Sequence, residues 1–163
     1  MKNFNQFINE STTDGSLDSL IDVTRIAINM GVFNDKLFTS MKETMITGIK
    51  GSIKTERKKV QKENLTQFIK LTDSLLQPLQ EATTINSFLN SLIQISEAKD
   101  NIIKRLKINE IINESKIINY FRKIKNKTKN WWQNNISEIK KKMETVLISF
   151  LSKLIQNVTQ IIN

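Results

Sequence analysis

The sequence predicts an all-α protein, a bundle of long amphipathic helices, and three observations predict it. Apolar residues recur at three- and four-residue spacing along most of the 163 residues. Turn punctuation is sparse, with one Pro and four Gly, and no period-two alternation bounded by turn clusters is evident. The length suits one helical domain with a modest core, or a few long helices extended and completed by partner subunits.

Residues 1–10 place Phe4, Phe7 and Ile8 on one helical face and read as a short N-terminal helix or targeting peptide. Residues 11–15, Ser-Thr-Thr-Asp-Gly, read as a flexible break before a helical domain over residues 16–163. Ser16 is the expected cap of a helix carrying Leu17, Leu20, Ile21, Thr24 and Ile28, with Asp18 and Asp22 near its positive end and Gly31 to terminate it. Asn34 caps a further helix with a stripe of Leu37, Phe38, Met41, Met45, Ile46 and Ile49, in which Gly48 and Gly51 either weaken the helix or permit close packing. The pattern resumes over residues 52–77 across the basic run Arg57-Lys58-Lys59, and Pro78 should end or kink it.

Beyond Pro78 the apolar positions from Phe88 to Ile124 suit one very long helix or a pair broken near residues 108–116. The last helix is expected from about Trp131 to near the end, with a broad apolar face running from Ile136 to Ile161. Doubled positions such as Ile102-Ile103, Ile111-Ile112 and Ile161-Ile162 make these stripes wider than a coiled-coil seam, which favours several neighbours over a dimer.

Composition excludes several functions. There is no Cys and no His, which removes disulfides, thiol nucleophiles, the usual zinc sites and Ser-His-Asp triads together. Glu110 and Glu114 sit four apart on an expected helix, but the metal motif of helix bundles pairs Glu with a His three residues on. No phosphate-cradling glycine loop is present. The reading is therefore not an enzyme, with no cofactor, no metal site and no small-molecule substrate. No run of about 18 uninterrupted apolar residues suggests a spanning helix. After Lys2 the polar mixture Asn3-Phe4-Asn5-Gln6 stands where a secretory signal would be apolar, which suggests a cytosolic origin.

Charge is uneven. Residues 1–115 hold 15 Lys and Arg against 14 Asp and Glu, whereas residues 116–163 hold 10 against 2. This basic C-terminal third suggests an acidic partner, whether nucleic acid, an anionic membrane or an acidic protein; the alternative is a solvated face that serves solubility. Its most unusual stretch runs from Lys116 through Arg122, Lys123, Lys125, Lys127 and Lys129 to Trp131 and Trp132, with Lys140, Lys141 and Lys142 following. The lysines could meet phosphates and the indoles could stack on bases or sit at a membrane interface. Alternatively Trp131 packs into the core and Trp132 covers a neighbouring helix, since adjacent helical residues point about 100° apart. Ahead of an apolar face, Lys140-Lys141-Lys142 also resembles an interfacial helix, but residues 143–163 offer only Lys153 and Glu144 as charges, which weakens a membrane reading.

The opening Met1-Lys2-Asn3-Phe4-Asn5-Gln6-Phe7-Ile8-Asn9-Glu10-Ser11 resembles the capsid-targeting peptide of internal head proteins in T-even-type tailed bacteriophages. The resemblance covers about 11 residues, and a second Ile112-Asn113-Glu114-Ser115 repeats its cleavage pattern deep in the chain. It implies cutting by a prohead protease after Glu10 of the Ile8-Asn9-Glu10 motif, before Ser11. It further implies a virion or prohead-associated structural or cargo protein in the capsid interior, contacting other virion proteins or DNA. The competing readings are a basic nucleic-acid-binding or host-takeover protein in the host cytoplasm, and a membrane-interface helical protein.

Overall fold

A computed structural model describes residues 15–108 and 115–163, which form seven α-helices and one 3-10 turn, with no strand among the described residues. The helices are α1 (Gly15–Met30), α2 (Asp35–Arg57), α3 (Leu65–Glu81), α4 (Ile85–Leu106), α5 (Ser115–Ile124), α6 (Lys129–Asn134) and α7 (Ile136–Ile162), with the 3-10 turn at Lys62–Asn64. The expected features of residues 1–14, and those resting on Glu110 and Glu114, lie outside the described residues.

Local chemistry accounts for most helix ends. Asn34 caps α2, its side-chain oxygen accepting from the Leu37 amide at 2.8 Å, and Gly31 leaves α1 at φ +70°, where an L side chain is disfavoured. Thr84 and Ser87 form a reciprocal capping box at α4. Three expected boundaries move. Helix α1 begins at Gly15, so Ser16 lies inside its first turn rather than capping it. Helix α2 runs through both glycines and stops at Arg57, because Gly48 is held against α7 and cations in a last turn suit the negative end of the helix dipole. Pro78 does not end α3, which continues to Glu81; the loss of its amide, which would have bonded the Ser74 carbonyl, is confined to the last turn, and the Lys42 ammonium binds the Gln80 and Ala82 carbonyls just beyond. The break expected near residues 108–116 is present, with Lys107 left-handed at φ 55° after α4. The last helix is instead two: Thr128 caps α6, and the chain turns at Asn135 before α7.

Helix α7 is the centre of the bundle, packing against α1, α2, α3, α4 and α6. It buries Ile139, Met143, Val146, Leu147, Phe150, Leu151, Leu154, Ile155 and Val158, each contributing roughly 1.5–3 kcal/mol relative to exposure. It runs parallel to α2: Gly48 lies against Ile148, the Ser52 and Ser152 hydroxyls meet, and the Asn163 side chain accepts from the Gln61 amide and donates to the Lys59 carbonyl. Asp35 accepts from the Ile85 amide at 2.9 Å and ties the start of α4 to the start of α2, beside the ring cluster of Phe33, Phe38 and Phe88. Helices α2, α4 and α7 thus begin at one end of the bundle, and α3 returns antiparallel beside α4. Helix α5 packs on α1 through Ile118, Phe121 and Ile124. Among the described residues, Ile161 at 45% is the one large apolar side chain left exposed.

A Cβ at position 48 would lie 2.6, 2.9 and 3.0 Å from three side-chain atoms of Ile148, whereas a Cβ at 51 meets nothing within 4 Å. Ala gains about 1 kcal/mol over Gly in a helix, and overpacking costs about 1–3 kcal/mol. Gly51→Ala should therefore raise the urea midpoint, Gly48→Ala should lower it, and Ile148→Val should recover part of the deficit in the Gly48→Ala background.

Candidate polyanion interface

The basic-aromatic stretch is not one surface. Lys116, Arg122, Lys123, Lys127, Lys129 and Lys141 are exposed, and of these Lys116, Arg122, Lys123, Lys129 and Lys141 have no ion-pair partner among the described residues. Lys125 is half-buried and paired with Asp22 of α1 at 3.1 Å. Lys140 is paired with Glu144 at 2.8 Å along α7. Lys142 lies 4.7 Å from the Tyr120 ring centroid and 3.9 Å from Glu138. A phosphate would have to compete with the partners these three lysines already have.

The tryptophans divide in the opposite sense to the packing reading of the sequence. Trp132 is fully buried, and its indole nitrogen donates to the Ile124 carbonyl at 3.0 Å, closing the end of α5. It is therefore removed from the binding set, because stacking on a base would require it to leave the core. Trp131 is half-buried, with the Lys127 ammonium 5.7 Å from its ring centroid. The short helix α6 explains the division: Thr128 caps it by accepting from the Trp131 amide at 3.2 Å, and Asn135 binds the Trp131 carbonyl at 2.8 Å, which fixes both indoles in orientation. What remains for a partner is a rim of cations along α5 and the α5–α6 turn, with the edge of one indole beside it.

Tyr120 belongs to this region and no sequence signal marked it. Its hydroxyl is buried without a hydrogen-bond partner among the described residues. Burial, and after it the Glu138 carboxylate, push the hydroxyl above the ordinary phenol value.

Helix α7 is also, among the described residues, the one helix long and apolar enough to cross a membrane by length and composition. This departs from the expectation of no spanning segment, because residues 145–162 carry Lys153 as their single charge. In the fold its apolar face is occupied by the surrounding helices. Between α1 and α4 lies a groove of about 480 Å³ with Asp18, Asp22 and Glu97 against Arg25. A groove of about 180 Å³ between α3 and α4 carries Lys70 and Arg105 over Leu71, Ala98 and Ile102. The sequence does not single out this second pair, since the overall balance of residues 1–115 conceals it. No protein-family model, curated protein or solved structure matches this chain.

Removing the orphaned hydroxyl by Tyr120→Phe should leave stability unchanged or raise it by up to about 1–3 kcal/mol, read by thermal or urea unfolding. Because the folded-state value is raised, the unfolded chain releases the proton first as pH rises through about 10, so wild-type stability should fall above that pH and the Phe variant should lack this component. Tyr120 is the only tyrosine, so tyrosinate absorbance should show a folded-state midpoint above that of the urea-unfolded chain.

Proposed function

We propose that this chain is a non-catalytic, polyanion-binding helical protein of a tailed bacteriophage, associated with the virion or prohead and contacting DNA and capsid-interior proteins. The observation that carries the reading is the exposed rim of Lys116, Arg122, Lys123, Lys129 and Lys141, none neutralised by a carboxylate among the described residues. Cations placed in this way release counterions when they meet phosphates, and they bind duplexes without reading sequence. The phage assignment rests on the resemblance of residues 1–11 to a capsid-targeting peptide.

A cytoplasmic nucleic-acid-binding or host-takeover protein would use the same rim and differs in location. A membrane-interface role has less support, because α7 would have to abandon the bundle core to expose its apolar face.

Intact mass of the protein taken from purified particles tests the location: a species beginning at Ser11 is expected, and absence of the protein from particles would contradict a virion role. Affinity of the purified chain for a duplex, measured against salt, tests the chemistry. Log K should fall linearly with log salt, with a slope of about −0.9 for each phosphate engaged; affinity independent of salt would overturn the polyanion reading.

A further inference from the structure

The groove between α3 and α4 is built from residues distant in sequence. Lys70 and Ser74 of α3 face Asn101 and Arg105 of α4 across an apolar floor. Lys70 and Arg105 are exposed and have no ion-pair partner among the described residues. The antiparallel run of α3 beside α4 brings the start of one to the end of the other, so Lys62 in the 3-10 turn and Lys104 extend the same basic region. The turn that follows α2 adds exposed Arg57 and Lys58 at that end of the bundle.

The α5–α6 rim lies elsewhere. From α5 the chain of packed neighbours leads through α1 and α4 to α3. Between the two basic regions runs the α1–α4 groove, a strip of near-balanced charge: Asp18 and Glu97 lie beside Arg25, Asp22 is paired with Lys125, and Asp100, beyond Glu97, is paired with Lys99 at 2.7 Å. A duplex following the surface from one region to the other would have to cross the width of α1 and α4 over this strip, where the described residues offer no cluster of unpaired cations to hold its phosphates. Helix α4 itself separates the charges, turning Glu97 to one groove and Arg105 to the other.

We propose that the protein has two separate phosphate-binding surfaces, the α5–α6 rim and the α3–α4 groove, and that a single molecule bridges two duplex segments. The ligand class is the phosphodiester backbone of double-stranded DNA at both surfaces. At the groove, Lys70 and Arg105 supply the charge, and Asn101, whose amide can donate to a phosphate oxygen, lines it between them. The inference rests on the proposed polyanion-binding function and adds the number and location of its surfaces.

The test is capture of a free labelled duplex by a bead-tethered duplex, run beside single-duplex affinity for the full chain. Wild type should bind and capture. Lys70→Glu with Arg105→Glu should keep single-duplex binding within about tenfold and abolish most capture, while binding through the remaining surface keeps its salt slope. Arg122→Glu with Lys123→Glu should do the same through the other surface. The Gln versions of both pairs should reproduce these effects more weakly, and unchanged thermal melts show that the variants fold. Capture surviving in both charge-reversed variants would overturn bridging by one molecule, since self-association would then explain it. One pair abolishing all binding while the other changes nothing would reduce the protein to a single surface, sinking this inference and leaving the proposed function intact. Failure of wild type to bind any duplex would remove both.

Discussion

Helix α7 can exist in water only if its apolar face is covered, and the rest of the bundle is arranged to cover it. Its nine large buried apolar side chains spread too widely around the helix for one neighbour to shield, so helices α1, α2, α3 and α4 surround it. The parallel approach of α2 is the tightest of these, because Gly48 lets Ile148 lie directly on its backbone. The connection between these two parallel helices must traverse the molecule, and the intervening chain does so as α3, α4, α5 and α6. The two tryptophans serve this connection: the turn that begins α7 is held by the buried indole of Trp132 on the end of α5.

With the core confined to one chain, the surface carries whatever the protein does for a partner. Its charge is segregated by helix packing rather than by sequence block. Lys125, Lys140 and Lys142 are engaged by Asp22, Glu144, Glu138 and the Tyr120 ring, whereas Lys70 and Arg105, from a region of near-neutral balance, come together at one groove. Engaged lysines contribute modestly to stability, and free ones raise the local potential that draws an anionic polymer. Basic surfaces separated by a strip of near-balanced charge favour linking two polymer segments over wrapping one.

The fold class and the core stripes of α1, α2 and α7 were legible in the sequence, because apolar periodicity is set by the helix and little else competes with it. Thr24, Phe38, Met41, Met45, Ile49, Leu147, Phe150 and Leu154 are all buried at the positions the periodicity predicts. Boundaries were harder. Gly48 reads locally as a weak point and is kept helical by Ile148, one hundred positions away in the chain. Pro78 reads as a stop, and the helix ends only three residues after it, at Glu81. The candidate surface was half legible: the run of cations from Lys116 was visible, but which lysines are engaged, and which tryptophan faces inward, depends on a six-residue helix, α6, that periodicity alone does not resolve. The Lys70–Arg105 pair and the orphaned Tyr120 hydroxyl exist only once α3 meets α4 and α5 meets α7.

The most direct test of this account is amide hydrogen exchange on the free chain in dilute aqueous buffer, without DNA, lipid or partner. If α7 is the covered centre of a self-sufficient bundle, the amides of residues 143–158 should be the slowest to exchange, with protection approaching that of global unfolding, and anionic vesicles should leave them unchanged. Rapid exchange across α7 in the free chain, or protection acquired only on adding vesicles, would contradict it and make α7 a segment that finds its cover elsewhere.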